Sequence, residues 1–229
     1  MHIGLIGGVG VAATIVYYQR LTDAVKRRGV PLKLTIAHAD IDTLVRTNRE
    51  DLRQEQAEAF LQQVEDLAGA GADCAALSSI GAHFCYDELK AMSPLPLVSA
   101  IAPLDDYFVG EGLARVGLLG TRVVMRTGLF GQLRRTEPVV IEGEIDHIGQ
   151  TYQDVAVAGA CGPRERDLFL DAGRRLVAER GAEAVVLAGT DLNLAFADAA
   201  PGYRVIDALD VHVDLLARLA TGETALPDH

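Results

Sequence analysis

Ser79 and His83 stand four positions apart in the stretch GADCAALSSIGAH, residues 71–83. If the chain turns into a helix there, positions i and i+4 share a face. The imidazole can then activate the hydroxyl or serve as a base itself. A histidine that caps or orients the loop fits the same spacing. A second stretch, GAEAVVLAGTDL at 181–192, repeats the pattern of Gly-Ala-acid, apolar run and small polar residues. Gly71 and Gly181 lie 110 positions apart, as do Ser79 and Gly189, and Asp191 follows with a carboxylate. Small residues there leave room for a ligand. They also leave backbone N–H groups at Gly81–Ala82 and Thr190–Asp191 to face an anion.

A third motif is GGVGVAA, residues 7–13, which holds Gly8-x-Gly10-x-x-Ala13 between a strand-like run and a helix-like run. Three readings stand: a turn that binds a small anion through its amides, a dinucleotide fingerprint with Asp40 as the ribose acid, and a structural turn. Gly8 and Val9 are the candidate contacts.

The elements that must position these groups alternate. HIGLIG (2–7) reads as a buried strand. From Val11 to Arg28 a helix is expected with Ile15, Tyr18, Leu21 and Val25 on its apolar face, ended by Gly29 and Pro31. LKLTIA (32–37) is a strand. EDLRQEQAEAFLQQVEDLAGAG is a helix with Leu52, Phe60, Val64 and Leu67 inward, and DCAAL (73–77) and PLVSA (96–100) are strands. The pattern then restarts with RVGLLG (115–120), a helix at MRTGLFGQLRR, a strand at PVVIEG (138–143) and a Gly-rich loop around AGACGP. A helix RERDLFLDAGRRLVAERG, the strand AEAVVLAG, YRVIDAL and a last helix at 208–220 follow, with a frayed tail TGETALPDH. Strand–helix alternation in two similar halves predicts an α/β protein of two pseudo-symmetric lobes with mostly parallel sheets facing each other across a cleft. Residues 1–98 with 207–229 form the first lobe, and 99–206 the second. Ligands of open α/β sheets bind at the carboxyl ends of strands, where both SSIGAH and AGTDL fall.

The 229 residues carry 21 Lys and Arg against 32 Asp and Glu, a net charge of −11, with no basic stripe of the kind a nucleic-acid binder needs. No run approaches the ~20 apolar residues of a membrane span. The N-terminus enters a strand at once, so a cytoplasmic protein is expected. Cys74, Cys85 and Cys161 are too scattered for a disulfide framework or a zinc site, and Asp210 with His212 makes only a lone pair, so no metal is expected.

IGLIGGVGVAATIVYYQRL resembles the N-terminal signature of the aspartate/glutamate racemase superfamily. GADCAALSSIGAH is similar to its Gly-Ala-Asp, apolar strand, then Cys-Asn-Thr-x-His or Thr-Asn-Thr-x-His, and GAEAVVLAGTDL to its second stretch ending Gly-Cys-Thr-Glu. RVGLLGTRVVMRTGLF and YRVIDALDVH resemble the segments that open the second lobe and precede the last helix. The resemblance covers nearly the whole chain. It implies a cofactor-free isomerase acting at the carbon beside the carboxylate of an amino acid or small diacid, and a homodimer. In that family two groups, usually cysteines, exchange the α-proton from opposite faces.

Here the first cysteine position carries Ser79 and the second Gly189, so catalysis would rest on non-thiol groups: Ser79, His83 and Asp191. The resemblance places Thr14, Arg46, Thr121, Arg126, Thr127 and Thr190 among the polar substrate contacts, beside Gly8, Val9, Gly81, Ala82 and Gly189. Cys85 and Cys161 are candidates for a displaced thiol. The alternative is an inactive homologue that binds a small carboxylate. Thiols placed at both 79 and 189 are expected to leave the fold intact.

Overall fold

The computed structural model describes residues 1–226, and the last three residues of the tail lie outside them. The chain separates into two compact units, divided at Ala100/Ile101 and at Val211/His212.

In the first unit β1 (His2–Gly7), α1 (Val11–Arg27), β2 (Lys33–His38), α2 (Ile41–Arg49), α3 (Arg53–Gly69), β3 (Cys74–Leu77), α4 (Tyr86–Met92) and β4 (Leu97–Val98) follow in order. The strands make a parallel sheet in the order β2-β1-β3-β4. β1 and β3 are buried along their whole length, which is why they read as unbroken apolar runs.

The second unit carries α5 (Leu104–Gly110), β5 (Arg115–Gly120), α6 (Arg122–Thr127), β6 (Glu137–Val139), α7 (Ile145–Ala158), α8 (Pro163–Arg180), β7 (Ala184–Ala188), α9 (Asn193–Phe196) and β8 (Val205–Asp207). Its parallel sheet runs β6-β5-β7-β8, the same order as in the first unit. α10 (Ala208–Thr221) begins in the second unit and continues, from His212 on, as part of the first. The α/β class, with two four-stranded parallel sheets, is as the sequence predicts.

Several elements differ from the expectation. α1 buries Ala13, Tyr17, Leu21, Ala24 and Val25, whereas Ile15 and Tyr18 are each 53% exposed. Val16, Tyr17 and Tyr18 are adjacent and all apolar, so the sequence offers two possible faces about 100° apart. α2 was not expected, because only Leu44 and Thr47 of its nine residues are buried. Asp40 starts it, its carboxylate accepting from Thr43 N at 2.8 Å and from Thr43 Oγ1. α6 begins earlier and ends at Gly128, whose φ of 57° closes the helix before the expected stretch to Arg135. α7 was likewise not anticipated. The start of the tail is tied down: Gly222 N and Glu223 N donate to Leu219 O and Arg218 O, and Glu223 pairs with Arg28 at 3.0 Å.

Candidate functional site

Each unit gathers its candidate groups at the carboxyl ends of its central strands. In the first unit, β1 ends in a turn where Gly8 takes φ 86° and Gly10 φ 103°. A side chain at Gly8 would strike Ala39 O and lie 2.6 Å from His38 Nδ1, so glycine is required there for both conformation and space. Thr14 staples the turn. Its Oγ1 accepts from Gly8 N at 2.9 Å and donates to Gly10 O at 2.9 Å. Ser78 Oγ, at the end of β3, lies 3.4 Å from the same oxygen. Val9 is buried beneath the turn. α1 opens here with no side-chain cap and no acid in its first turn.

β3 runs into Ser78, Ser79 and a 3-10 turn over Gly81–Cys85. Ser79, Gly81, Ala82 and His83 are all buried. Nδ1 of His83 lies 3.0 Å from Ser79 O, and Nε2 accepts from Ala100 N at 3.0 Å. Nε2 as acceptor makes Nδ1 the donor, so the ring is neutral and both nitrogens are spent on main chain. Burial lowers its pKa to about 4. The ring also stacks on Tyr86, 5.2 Å away at 3°. His83 thus holds Ser79 through its carbonyl, with both ring nitrogens facing main-chain atoms.

The expected carboxylate ligand Arg46 stands on α2, half exposed, and is paired with Glu55. Its neighbour Asn48, which sequence reasoning passed over, sends Nδ2 to within 3.4 Å of Gly81 O. Asp40 caps α2 through Oδ2.

In the second unit β7 ends at Gly189, followed by a 3-10 turn over Thr190–Leu192. Thr190 and Asp191 are buried, and Asn193 Nδ2 donates to Thr190 O. Tyr152 of α7, another residue not anticipated, covers Gly189 and points its hydroxyl at Asp191 Oδ2, 3.4 Å away. The other expected contacts have local partners. Thr121 caps α6 through Val124 N, and Arg126 pairs with Asp146 at 2.6 Å on the surface. Thr127 Oγ1 donates to Val123 O and accepts from Phe130 N.

All three cysteines are free, and burial disfavours their thiolates. Cys74 is core, raised to about 11 by burial. Cys85 donates to Ala82 O and is raised to about 12 by burial. Cys161 is partly exposed and also raised by burial. None of the three has the depressed pKa of a reactive thiol. Among the described residues no group of three or more His, Cys, Asp or Glu could hold a metal ion, and no helix is long and apolar enough to cross a membrane.

The model of the Asp/Glu/hydantoin racemase family matches residues 6–216. The chain belongs to that family. Its structure is similar to that of a candidate Asp/Glu racemase from Yersinia pestis, at 23% identity and TM-score 0.79, covering 96% of this chain and 100% of that one. An aspartate racemase homologue from Pyrococcus horikoshii OT3 matches at 21% and 0.76, covering 96% and 99%. The aspartate racemase of Picrophilus torridus matches at 18% and 0.75, covering 96% and 95%. At these identities the likeness is one of fold.

Proposed function

We propose that the chain is a cofactor-independent isomerase that acts at the carbon α to a carboxylate, in an amino acid or a small diacid, with non-thiol groups. The observation that carries this is the family match across 6–216 together with small, polar strand ends at Ser78–Ser79 and Thr190–Asp191. The reaction needs a group that takes the α-proton and a donor that returns one, while the electron pair left on carbon is delocalised into the carboxyl group. Each unit offers a set of groups that can be tested by itself. The first has Ser79, with the amides of Gly81 and Ala82 and a turn braced by His83. The second has Asp191 and Thr190. The same reading makes the protein a cytoplasmic homodimer that needs no metal.

Proton NMR in D₂O tests it. The protein is incubated with L- and D-aspartate, L- and D-glutamate and small dicarboxylates while the α-proton signal is followed. Protein-dependent loss of that signal is expected, weakened at least about tenfold in Ser79→Ala or Asp191→Asn. Absence of exchange from every substrate, with binding of one of them, would overturn the activity.

A further inference from the structure

We propose that Tyr152 stands in for a side chain at position 189. Its ring takes the space that Gly189 leaves, and its hydroxyl places a hydrogen-bond donor on Asp191, so that the polar function of the β7 end rests on a Tyr152–Asp191 pair. The inference deepens the proposed function, because it rests on the reading that the β7 end belongs to the working site.

The backbone at Gly189 is ordinary, with φ −149° and ψ 117°, extended values that any residue adopts. Conformation therefore does not demand glycine. Space does. A Cβ built there meets Tyr152 Cε2, with Cζ at 2.7 Å and Cδ2 at 3.1 Å. The obstruction is not the loose end of a surface side chain, since Tyr152 is 4% exposed. α7, which carries Tyr152, packs against the turn that holds Asp191.

The polar end of the ring is as constrained as its body. Asp191 is 1% exposed, and a carboxylate so buried needs donors to remain charged. The Tyr152 hydroxyl lies 3.4 Å from Oδ2, longer than the ~2.7 Å of a tight O–H···O bond but within reach of a small adjustment. Burial and the Asp191 charge push the phenol well above its usual range, so it stays a donor. The turn packs on α7, β7 and α9. β7 and α9 carry no titratable residue, and Asp146, His147 and Asp154 of α7 are exposed, which leaves Tyr152 as the titratable group that α7 brings inward.

Two measurements on the substrate-free protein test the pair. The first is a thermal double-mutant cycle. Gly189→Ala is expected to lower the melting midpoint by about 2–8 °C, and by less than half as much when Tyr152→Ala has first cleared the space. Additive shifts would overturn the proposal. The second follows the Asp191 carboxyl carbon by NMR in protein made with 13C-labelled aspartate, the signal assigned by its loss in Asp191→Asn. Tyr152→Phe keeps the ring and removes the donor, so the titration midpoint is expected to rise by about half a unit or more. An unchanged midpoint would also overturn the proposal. Neither readout needs turnover. Absence of α-proton exchange with both readouts as expected would sink the enzymatic reading and leave the Tyr152–Asp191 pair, whereas exchange accompanied by additive shifts or an unchanged midpoint would sink the pair and leave the enzymatic reading.

Discussion

The end of β3 and the end of β7 come from similar stretches of sequence and are braced in different ways. At β3 the side chain at the strand end, Ser79, is kept, and a residue four positions later reaches back to hold it. His83 does so with one ring nitrogen on Ser79 O and the other on Ala100 N. At β7 the side chain is absent, and the bracing group comes from a distant helix, Tyr152 lying over Gly189. At the first strand end a nearby side chain braces the turn through hydrogen bonds, whereas at the second a local Asn193 bond to Thr190 O is joined by a ring packed from a distant helix. One repeated sequence pattern has been given two different supports, and substitutions should separate them.

The largest effect is expected at His83. Replacing it with Ala strips partners from a buried carbonyl and a buried amide and leaves a cavity beside Tyr86. The cost should be about 3–5 kcal/mol, read as a lower denaturant midpoint. If His83→Ala instead kept full stability while abolishing α-proton exchange, the ring would be acting on substrate, and the contrast between the two strand ends would fail.

Acid should sharpen the same contrast. His83, and His212 on α10 bonded to Tyr17 at 2.8 Å, both lie in the first unit. Burial lowers their pKa values to about 4 and about 3. In the unfolded chain both titrate near ~6.5. Below that value the unfolded state binds more protons than the folded one. The stabilisation is therefore complete above pH ~6.5 and declines as pH falls toward the folded values. By about pH 5 each histidine should have cost about 2 kcal/mol. The turn after β7 carries no histidine. Hydrogen exchange at pH 5 against pH 7 should show the first unit losing protection before the second. Equal losses would mean that these two rings do not set the acid response.

Thiols test the two ends at smaller amplitude. Ser79→Cys exchanges one small side chain for another and should cost less than about 1 kcal/mol. Gly189→Cys must move the Tyr152 ring and should cost about 1–3 kcal/mol. The sequence suggested that both thiols would be accommodated. At 189 the structure adds a cost to that expectation, because the Tyr152 ring already fills the space. Equal, small costs at the two positions would show that Tyr152 yields freely.

What the sequence disclosed follows the range of the forces involved. β1, β3, β5 and β7 were legible because strands buried on both faces write continuous apolar runs, and the strand ends were legible from the glycines and small polar residues after them. α2 and α7 were not. α2 buries only two residues, and its start is set by the Asp40 cap. The face of α1 was misread because Tyr17 and Tyr18 are chemically alike in the sequence, and only packing in the first unit separates them. The Ser79–His83 spacing was visible, and it left open both a base and a histidine that orients the loop. The orienting role depends on Ala100 N, 17 residues away, which spends the second nitrogen. Tyr152 was invisible, since nothing local links it to a glycine 37 positions on.

The smallest effect is expected at Arg46, and it concerns the boundary of the first strand end. Resemblance pointed to it as a carboxylate ligand, but its guanidinium is engaged by Glu55 on a half-exposed surface of α2 and α3. Such a pair is screened by water and salt and contributes little. Arg46→Ala should move the melting midpoint by less than about 2 °C and leave aspartate binding, read by calorimetry, almost unchanged. The chemistry behind this is competition. To bind a substrate carboxylate, Arg46 must first give up the carboxylate of Glu55, so the gain is the difference between two similar contacts. A tenfold loss of affinity in Arg46→Ala, accompanied by tighter binding in Glu55→Gln, would show that the exchange does occur. The Ser79 end would then extend to α2, beyond the turn that His83 holds.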